Sequence, residues 1–290
     1  MIKLKKYIFL TFVLAIFIGG QLTAQNKVLI IGIDGCRPDA LLNAKTENLD
    51  KLWKNGAYSF TTKTDELSSS GICWTGMMTG VWHEKHNVLT NSYKNPNTDE
   101  YPHFFKRIKQ EKPQLKTYSI VNWGPLHTIF DKEDVTESKV CLTDRMVRSN
   151  VIKTLKHKDV DVLFLQFDNV DHAGHSSGYG PDNKKYLEAI ERKDKDVGKI
   201  IKALESRKNY ANENWLILVS TDHGGSEKGH GKNIPEHTTI FYIANGKSVK
   251  KGELKKQVSN IDVAVTALKH LGIDAKPEWN LDGNVSGLKN

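Results

Sequence analysis

The sequence contains little of what membrane, repeat or disulfide-stapled proteins need. Its 290 residues include only three cysteines, an odd number from which no disulfide framework can be read. After residue 25, no apolar stretch approaches the ~20 residues that cross a bilayer. The chain also has no internal repeat, no low-complexity stretch and no linker-like segment. These absences exclude a membrane-embedded body, a solenoid and a small disulfide scaffold.

The basic charge of the chain is mild and scattered. The formal net charge is +8, and removing the three lysines of residues 1–24, a segment without acidic residues, leaves +5. No dense basic run and no ladder of aromatic residues accompanies this surplus. The pattern argues against a nucleic-acid-binding surface and is compatible with a small anionic substrate.

Residues 1–24 have the pattern of a secretory signal peptide. A basic start, MIKLKK, precedes the apolar run YIFLTFVLAIFIGG, and LTA supplies a small-residue cleavage site after Ala24. The run is too short for the alternative, a membrane anchor, which needs ~20 residues. We expect cleavage after Ala24 and a periplasmic or secreted protein. The remaining residues, 25–290, are expected to form a single catalytic domain, a large but acceptable size for an α/β enzyme.

Short apolar runs alternate with helical patterns along the rest of the chain. The strand candidates, rich in β-branched and aromatic residues, are residues 27–34, 117–123, 161–167, 214–221 and 238–244. Helical patterns cover residues 38–42, 47–56, 184–206 and 261–271. This alternation predicts an α/β fold, a three-layer α/β/α sandwich with a mostly parallel central sheet. In such sheets, ligands bind beyond the carboxyl ends of the strands.

Three of the predicted strands are followed by residues that bind metals. These are Asp34 after the first strand, Asp171 and His175 after the third, and Asp222, His223 and His230 after the fourth. Carboxylate oxygens and imidazole nitrogens suit Zn²⁺ and similar divalent ions. Taken alone, an Asp-Gly pair is usually a turn, but three such coincidences at one sheet edge favour a metal site. Asp168, His172 and His237 have a structural interpretation at least as good as a ligand role.

A run of three serines, residues 68–70, precedes the helical pattern ICWTGMMTG. A serine at a helix N-terminus is first of all an N-cap. The same position also attracts anions, and beside a divalent metal its hydroxyl can act as a nucleophile. Composition does not choose among the three serines. The one at the start of the helix is best placed to reach both a metal and a phosphate, and we expect Ser70 there, with Gly71 giving the backbone room.

Four segments together resemble the alkaline phosphatase superfamily and, within it, the type I phosphodiesterase/nucleotide pyrophosphatase family. They are IGIDGCRPDAL, SSSGICWTGMMTGVWHEKHNV, DNVDHAGH, and STDHGG followed by GHG. They stand in the order of the family and are spread over residues 28–240. The resemblance therefore covers most of the chain that follows the leader.

The resemblance implies two divalent metal ions, expected to be Zn²⁺. One would be held by Asp34, Asp222, His223 and the nucleophile, and the other by Asp171, His175 and His230. Ser70 is the nucleophile implied, because in the family this residue lies ten positions before the Gly of a Thr-Gly pair, here Gly80. Asn91 stands where the family has an amide that contacts a phosphate oxygen. His237 is the alternative to His230 as the last ligand.

The activity implied is a secreted phosphohydrolase that cleaves small phosphodiesters through a phosphoserine. A phosphomonoesterase is the first alternative, with Arg37, Lys63 and His127 as candidate cations for the extra phosphate charge. A sulfatase would need a C/S-x-P-x-R motif, and the segment that begins at Cys36 has the Cys and the Pro but Ala40 at the position of the Arg. A phosphonate hydrolase and a non-catalytic binding module are further alternatives. Residues 71–74 replace the Phe-Pro-Asn-His of nucleotide-cleaving relatives, so nucleotide specificity does not follow from the resemblance.

Overall fold

The computed structural model describes residues 24–289, so the predicted leader lies outside it except for Ala24. The strands are β1 (Gln25–Ile33), β2 (Ala57–Lys63), β3 (Thr117–Val121), β4 (Glu137–Val140), β5 (Val162–Phe167), β6 (Glu213–Ser220), β7 (Thr239–Asn245) and β8 (Gly252–Glu253). The helices are α1 (Pro38–Asn43), α2 (Glu47–Lys54), α3 (Ser70–Thr79), α4 (His83–His86), α5 (Phe104–Glu111), α6 (Asp144–His157), α7 (Asn169–Ser177), α8 (Lys184–Glu205), α9 (Pro235–Thr238) and α10 (Asp262–His270). No helix in this part of the chain is long and apolar enough to cross a membrane.

The strands form one sheet with the order β4-β3-β5-β1-β6-β7-β2-β8. The first five strands in that order run parallel to one another. β7 is antiparallel to both β6 and β2, and β8 pairs parallel with β2. β1 lies between β5 and β6, so the carboxyl ends of these three strands meet side by side at one edge of the sheet.

The side chains of β1 alternate between two apolar cores. Leu29, Ile31 and Ile33 pack on the face covered by α2, α6 and α8. Val28 and Ile30 pack on the opposite face with α3, α5 and α10. Because helices cover both faces, the central strands are apolar throughout their length. The predicted fold class, an α/β/α sandwich with a mostly parallel sheet, is confirmed.

The five predicted strands are present, with ends shifted by one or two residues. Strands β2, β4 and β8 and helices α5 and α6 were not predicted. β4 and β8 are short and largely exposed, so neither has the apolar run that identifies a strand in sequence. Asp171 and His175 lie one turn apart on α7 instead of directly at the end of β5. The single-domain prediction for residues 25–290 stays a prediction.

Candidate metal centre

The predicted ligands lie beyond three adjacent strands. Asp34 follows β1, Asp222 and His223 follow β6, and α7, which follows β5, carries Asp171 and His175. Because β5, β1 and β6 are neighbours, their carboxyl ends bring these side chains to one place. Ligand atoms of Asp34, Asp171 and His223 lie within 4.8 Å of one another. The fold therefore assembles residues that are up to 189 positions apart in the sequence.

Asp34 is a buried carboxylate with one oxygen bonded and the other free. Its Oδ2 accepts hydrogen bonds from Trp74 Nε1 and Gln166 Nε2, both at 2.9 Å. Its Oδ1 is buried and has no hydrogen-bond partner among the residues described. Such an oxygen costs free energy unless a cation or a donor satisfies it.

Asp222 repeats this arrangement. Its Oδ1 accepts a hydrogen bond from Gly35 N at 3.1 Å, while its buried Oδ2 lacks a partner in residues 24–289. The two free oxygens approach His223 Nε2, which is 3.6 Å from Asp34 Oδ1 and 3.3 Å from Asp222 Oδ2. Two carboxylate oxygens and one imidazole nitrogen at such distances form a donor set that fits a divalent ion. We call Asp34, Asp222 and His223 the buried group.

A second set of ligand atoms lies beside the buried group. Asp171, His175 and His230 also bring their ligand atoms within 4.8 Å of one another. Asp171 Oδ2 is 3.2 Å from His175 Nε2, and Asp171 Oδ1 is 3.9 Å from His230 Nε2. Tyr179 donates its hydroxyl hydrogen to Asp171 Oδ1 at 2.5 Å. We call Asp171, His175 and His230 the exposed group, because the side chain of His175 is 45% exposed.

All three histidines of the two groups are oriented by the main chain. The Nδ1 atoms of His223, His175 and His230 donate to the carbonyl oxygens of Gly224, Lys228 and Ser68 at 2.7, 2.9 and 3.0 Å. Each ring therefore presents Nε2 to the cluster as its ligand atom, the orientation that a metal ligand needs. The rings of His223 and His230 stack at a centroid distance of 3.8 Å. This stacking places the buried group and the exposed group in direct contact.

The two groups differ in their ionisation. Burial raises the pKa of Asp34 well above its usual value, and the nearby Asp222 raises it further. Burial raises the pKa of Asp222 to about 7. Burial also opposes ionisation of Asp171, but hydrogen bonding from His175 and the attraction of His223 bring its pKa down to about 2. The same bond to Asp171 raises the pKa of His175 to about 9. The exposed group thus balances its own charge, whereas the buried group does not.

Ser70 is the first residue of α3, as predicted, and the preceding Ser69 is the N-cap. The Ser70 hydroxyl lies 3.1 Å from His223 Nε2. Because His223 Nδ1 carries the proton that bonds Gly224, the hydroxyl donates to Nε2. Ser68 points elsewhere and donates to the carbonyl of Lys232 at 2.9 Å. Among the three serines, Ser70 is the one that bonds a residue of the buried group.

Asn91 lies next to Ser70 and accepts a hydrogen bond from the start of α3. The amide of Gly71 donates to Asn91 Oδ1 at 2.8 Å, and the amide of Ile72 donates to Ser69 O. These two amides of α3 are therefore already hydrogen-bonded within the protein. The bond to Gly71 leaves the Asn91 Nδ2 group free to donate. A side chain at position 71 would come within 3.0 Å of Asn91, which explains the need for glycine there.

Sequence reasoning missed three residues that hold the carboxylates. Trp74 and Gln166 both bind Asp34 Oδ2, and Tyr179 binds Asp171. Gln166 had a signal, since it is a polar residue inside the otherwise apolar β5. The sequence contains no comparable signal for Trp74 and Tyr179, because aromatic residues usually belong to the hydrophobic core.

Among the described residues, the clusters of ligand atoms do not include Asp168, His172 or His237. His237 uses both ring nitrogens elsewhere: Nε2 bonds Ser226 Oγ at 2.8 Å, and Nδ1 accepts from Lys232 N at 3.0 Å. Asp168 is the N-cap of α7, and His172 is exposed on that helix. The structure thus brings His230, and not His237, to the cluster.

The residues considered for a phosphomonoesterase or a sulfatase are hydrogen-bonded to other groups or buried. Arg37 bonds Asp39 and the carbonyl of Gly225, and Lys63 bonds Thr239. Burial lowers the pKa of His127 to about 4, so this ring is neutral at pH 7. Cys36 is fully buried, and burial raises the pKa of its thiol. The thiol therefore stays protonated, whereas a reactive cysteine needs the thiolate form.

Similarity to known proteins agrees with these motifs. The sequence profile of the Metalloenzyme superfamily matches residues 33–275. The chain is 32% identical over 268 residues to the catalytic subunit of human GPI ethanolamine phosphate transferase 2, covering 86% of this chain and 26% of that protein. It is 23% identical over 229 residues to mouse ectonucleotide pyrophosphatase/phosphodiesterase family member 7, covering 71% of this chain and 51% of that protein. The chain therefore spans about a quarter to a half of the length of these relatives.

Solved structures share the fold at low sequence identity. Murine ectonucleotide pyrophosphatase/phosphodiesterase 5, in an inactive form with AMP, superposes with a TM-score of 0.71 at 15% identity, covering 90% of this chain and 98% of that chain. A 2-O GAG sulfatase superposes with a TM-score of 0.72 at 15% identity, covering 90% of this chain and 73% of that chain. At such identities the superpositions establish the fold alone. The profile match and the first relative establish more: the chain belongs to the metalloenzyme superfamily, and the alkaline phosphatase-like relationship indicated by its motifs is confirmed.

Proposed function

We propose that the protein is a metal-dependent phosphohydrolase that cleaves small phosphodiesters through a phosphoserine on Ser70. One observation carries the proposal. The Ser70 hydroxyl bonds His223 Nε2 at 3.1 Å, beside two buried carboxylate oxygens that lack any partner among the described residues. A helix-start hydroxyl, free carboxylate oxygens and neutral imidazoles in one place are the parts that metal-assisted nucleophilic catalysis requires.

The donor set fits two divalent ions. Asp34, Asp222, His223 and Ser70 would hold one ion, and Asp171, His175 and His230 would hold the other, with Zn²⁺ as the ion that suits oxygen and nitrogen donors. When bound, the ions would supply Lewis-acid stabilisation of negative charge on the phosphate and on the serine oxygen. Two divalent ions balance three carboxylates and one ionised serine, so the resting site would be close to neutral, as a buried cluster needs.

The chain's own groups have separate parts in the reaction. Ser70 Oγ attacks phosphorus in line and displaces the alcohol, which leaves with a proton. Water then hydrolyses the phosphoserine and restores the hydroxyl. Asn91, whose Oδ1 is fixed by the amide of Gly71, directs its Nδ2 donor to a phosphate oxygen. Positioning and electrostatics supply most of the acceleration in such displacements.

A diester preference is supported by the charges around the site. A monoester carries an additional negative charge, for which monoesterases supply side-chain cations. The Arg37 and Lys63 side chains are already hydrogen-bonded, and His127 is neutral. We therefore propose bis-p-nitrophenyl phosphate as a better substrate than p-nitrophenyl phosphate for the metal-replete protein.

The nucleophile is tested with two neighbouring serines. Ser70→Ala should abolish turnover of both substrates while both metal ions stay bound, because the Asp and His ligands remain. Ser69→Ala is the matched control, since Ser69 is the N-cap of the same helix but makes no side-chain capping bond. Activity near wild type in Ser70→Ala, or a trapped phosphoryl group mapped to Ser68 or Ser69, would refute the assignment.

A second candidate activity is transfer of the phosphoryl group to an alcohol. It is favoured by the 32% identity to the human ethanolamine phosphate transferase over 86% of this chain. The same phosphoserine would then be attacked by an acceptor hydroxyl in place of water. Adding ethanolamine or glycerol during diester turnover separates the two: a transferase forms the new phosphate ester, and a hydrolase releases the same product with or without the alcohol.

We also propose a periplasmic or secreted location, which is supported by the basic, apolar and small-residue pattern of residues 1–24. Sequencing the N-terminus of exported protein should find Gln25 as the first residue. Retention of Met1 on exported protein would refute cleavage.

A further inference from the structure

A buried network centred on Asp144 supports α7, the helix that carries Asp171 and His175 of the exposed group. Asp144, the first residue of α6, is fully buried. Its Oδ1 accepts from Asp168 N and from Asn122 Nδ2, both at 2.9 Å. Its Oδ2 accepts from Asn169 N at 3.1 Å and from Lys193 Nζ at 2.9 Å. Four donors thus saturate one carboxylate.

Two of these four donors belong to the start of α7. Asp168 is the N-cap of that helix and Asn169 is its first residue, and the side chain of Asp168 makes no capping bond of its own. The first amides of a helix need an acceptor, and a carboxylate there also interacts favourably with the helix dipole. Asp144 therefore caps α7 from another helix, two and three residues before the ligand Asp171.

Lys193 holds the capping carboxylate in place. It lies on α8, its side chain is 5% exposed, and its ammonium also bonds Asp196 Oδ2 at 3.0 Å. Asp196 Oδ1 in turn accepts from Arg148 on α6 at 2.7 Å. The ammonium lies 4.9 Å from the ring centre of Phe167, the last residue of β5. This network fixes α6 and α8 around the junction between β5 and α7.

The network also reaches the buried group. Asn122, which donates its side-chain amide to Asp144, also donates its main-chain amide to Gln166 Oε1 at 3.1 Å. Gln166 Nε2 donates to Asp34 Oδ2 at 2.9 Å. A continuous chain of hydrogen bonds thus runs from Asp34 through Gln166 and Asn122 to Asp144.

We propose that Asp144, held by Lys193, is a positioning residue for the exposed group: it fixes the start of α7 so that Asp171 and His175 keep the spacing needed to bind an ion. Groups that orient ligands in this way typically change metal affinity by about 10- to 100-fold when removed. Asp144 acts through the helix and contacts neither substrate nor ligand atoms. The inference rests on the proposed two-metal site, and its test is a binding measurement that needs no turnover.

The test is titration of the metal-free protein with Zn²⁺, followed by calorimetry. Asp144→Asn places an amide group among four donors, and Lys193→Met removes the ammonium but keeps the stem. Both should weaken one of two Zn²⁺ sites about 10- to 100-fold and leave the other unchanged. His175→Ala supplies the reference for loss of the exposed site. If Asp144→Asn does not fold, the Zn²⁺ affinities of Lys193→Met test the proposal on their own.

A matched control separates positioning from general loss of stability. Lys27 forms a buried ion pair with Asp161 at 2.7 Å, at the start of β1 and so at the opposite edge of the sheet. Lys27→Met should lower the melting temperature but leave both Zn²⁺ affinities unchanged. Unchanged affinities in both network variants, or an equal loss of affinity in Lys27→Met, would overturn the inference. Wild-type protein that binds fewer than two Zn²⁺ ions would instead refute the two-metal site itself.

Discussion

The two ligand groups are positioned by different parts of the fold. The buried group stands directly after the central strands β1 and β6, and its side chains are at most 2% exposed. The exposed group is carried by α7 and by the loop after β6, and its side chains are 11–45% exposed. The ends of the strands hold the buried group rigidly but remove its charges from water. The helix and the loop leave the exposed group accessible to solvent.

The contrast extends to what each group does without an ion. In the buried group, the free oxygens of Asp34 and Asp222 have no partner among the described residues, and burial raises both pKa values. In the exposed group, Asp171 and His175 form an ion pair in which the pKa of the acid is lowered and that of the base is raised. The buried group thus contains oxygens that an ion would satisfy. In the exposed group, the charge of His175 takes the place of the ion beside Asp171.

The largest effect should come from the loop after β6, which supplies His230 as the proposed last ligand. His230→Ala removes a donor atom from the exposed group and should lower activity by orders of magnitude, together with the loss of one metal ion. Metal analysis and turnover of bis-p-nitrophenyl phosphate measure both. His237→Ala is the control: it only releases Ser226 and Lys232 N at the two ends of this loop, so both ions should stay. A reversed order of the two variants would contradict the ligand assignment.

The comparison also predicts opposite effects on the stability of the metal-free protein. Asp222→Asn should stabilise it by about 1–3 kcal/mol, because a neutral amide replaces a buried carboxylate whose Oδ2 has no partner among the described residues. The gain should grow as the pH rises from about 4 to about 7 and stay constant above that, because between the unfolded pKa and the folded pKa of about 7 the wild-type folded state must keep a proton that the unfolded chain releases.

Asp171→Asn should instead lower the melting temperature of the metal-free protein at pH 7. A carboxyl with a lowered pKa contributes stability above its unfolded pKa, and the substitution removes its pairing with His175. Thermal unfolding of both variants in the presence of a chelator compares them directly. Shifts of the same sign in the two variants would mean that the groups do not differ as described.

A smaller effect concerns the order in which the ions leave. A chelator should remove the ion of the exposed group first, because the His175 side chain is 45% exposed while His223 is fully buried. Release should be biphasic when it is followed with a metal indicator dye. In His175→Ala the fast phase should disappear and the slow phase should remain. A single phase in wild-type protein would indicate that both ions exchange together.

The parts of the site that follow strands were predictable from the sequence. The apolar runs of β1, β5 and β6 and the Asp and His residues after them are local patterns, and parallel strands must bring their ends to one edge. These predictions needed only residue type and periodicity. The choice of Ser70, the first residue of α3, among three adjacent serines also used the spacing to Gly80 in the family that the sequence resembles.

The rest depends on contacts between distant segments. The choice between His230 and His237 is decided by bonds of His237 to Ser226 and Lys232, which no spacing reveals. The amide of Gly71 donates to Asn91 Oδ1, a contact over 20 residues that the sequence does not indicate. Asp144 lies on α6, which the sequence pattern did not predict, so nothing in the sequence distinguishes this residue. Its role in capping a different helix arises because α6 and α7 both pack against α8.

The main-chain bonds of the three histidines have a consequence for how the protein tolerates change. His175 is oriented by the carbonyl of Lys228, and the Lys228 side chain takes no part in that bond. A saturation scan at position 228 should therefore find most replacements harmless, although the position fixes a ligand. Insertion or deletion of one residue in the same loop would displace the carbonyl and should be severe. Conservation of loop length, more than of residue identity, is the feature to expect here among related sequences.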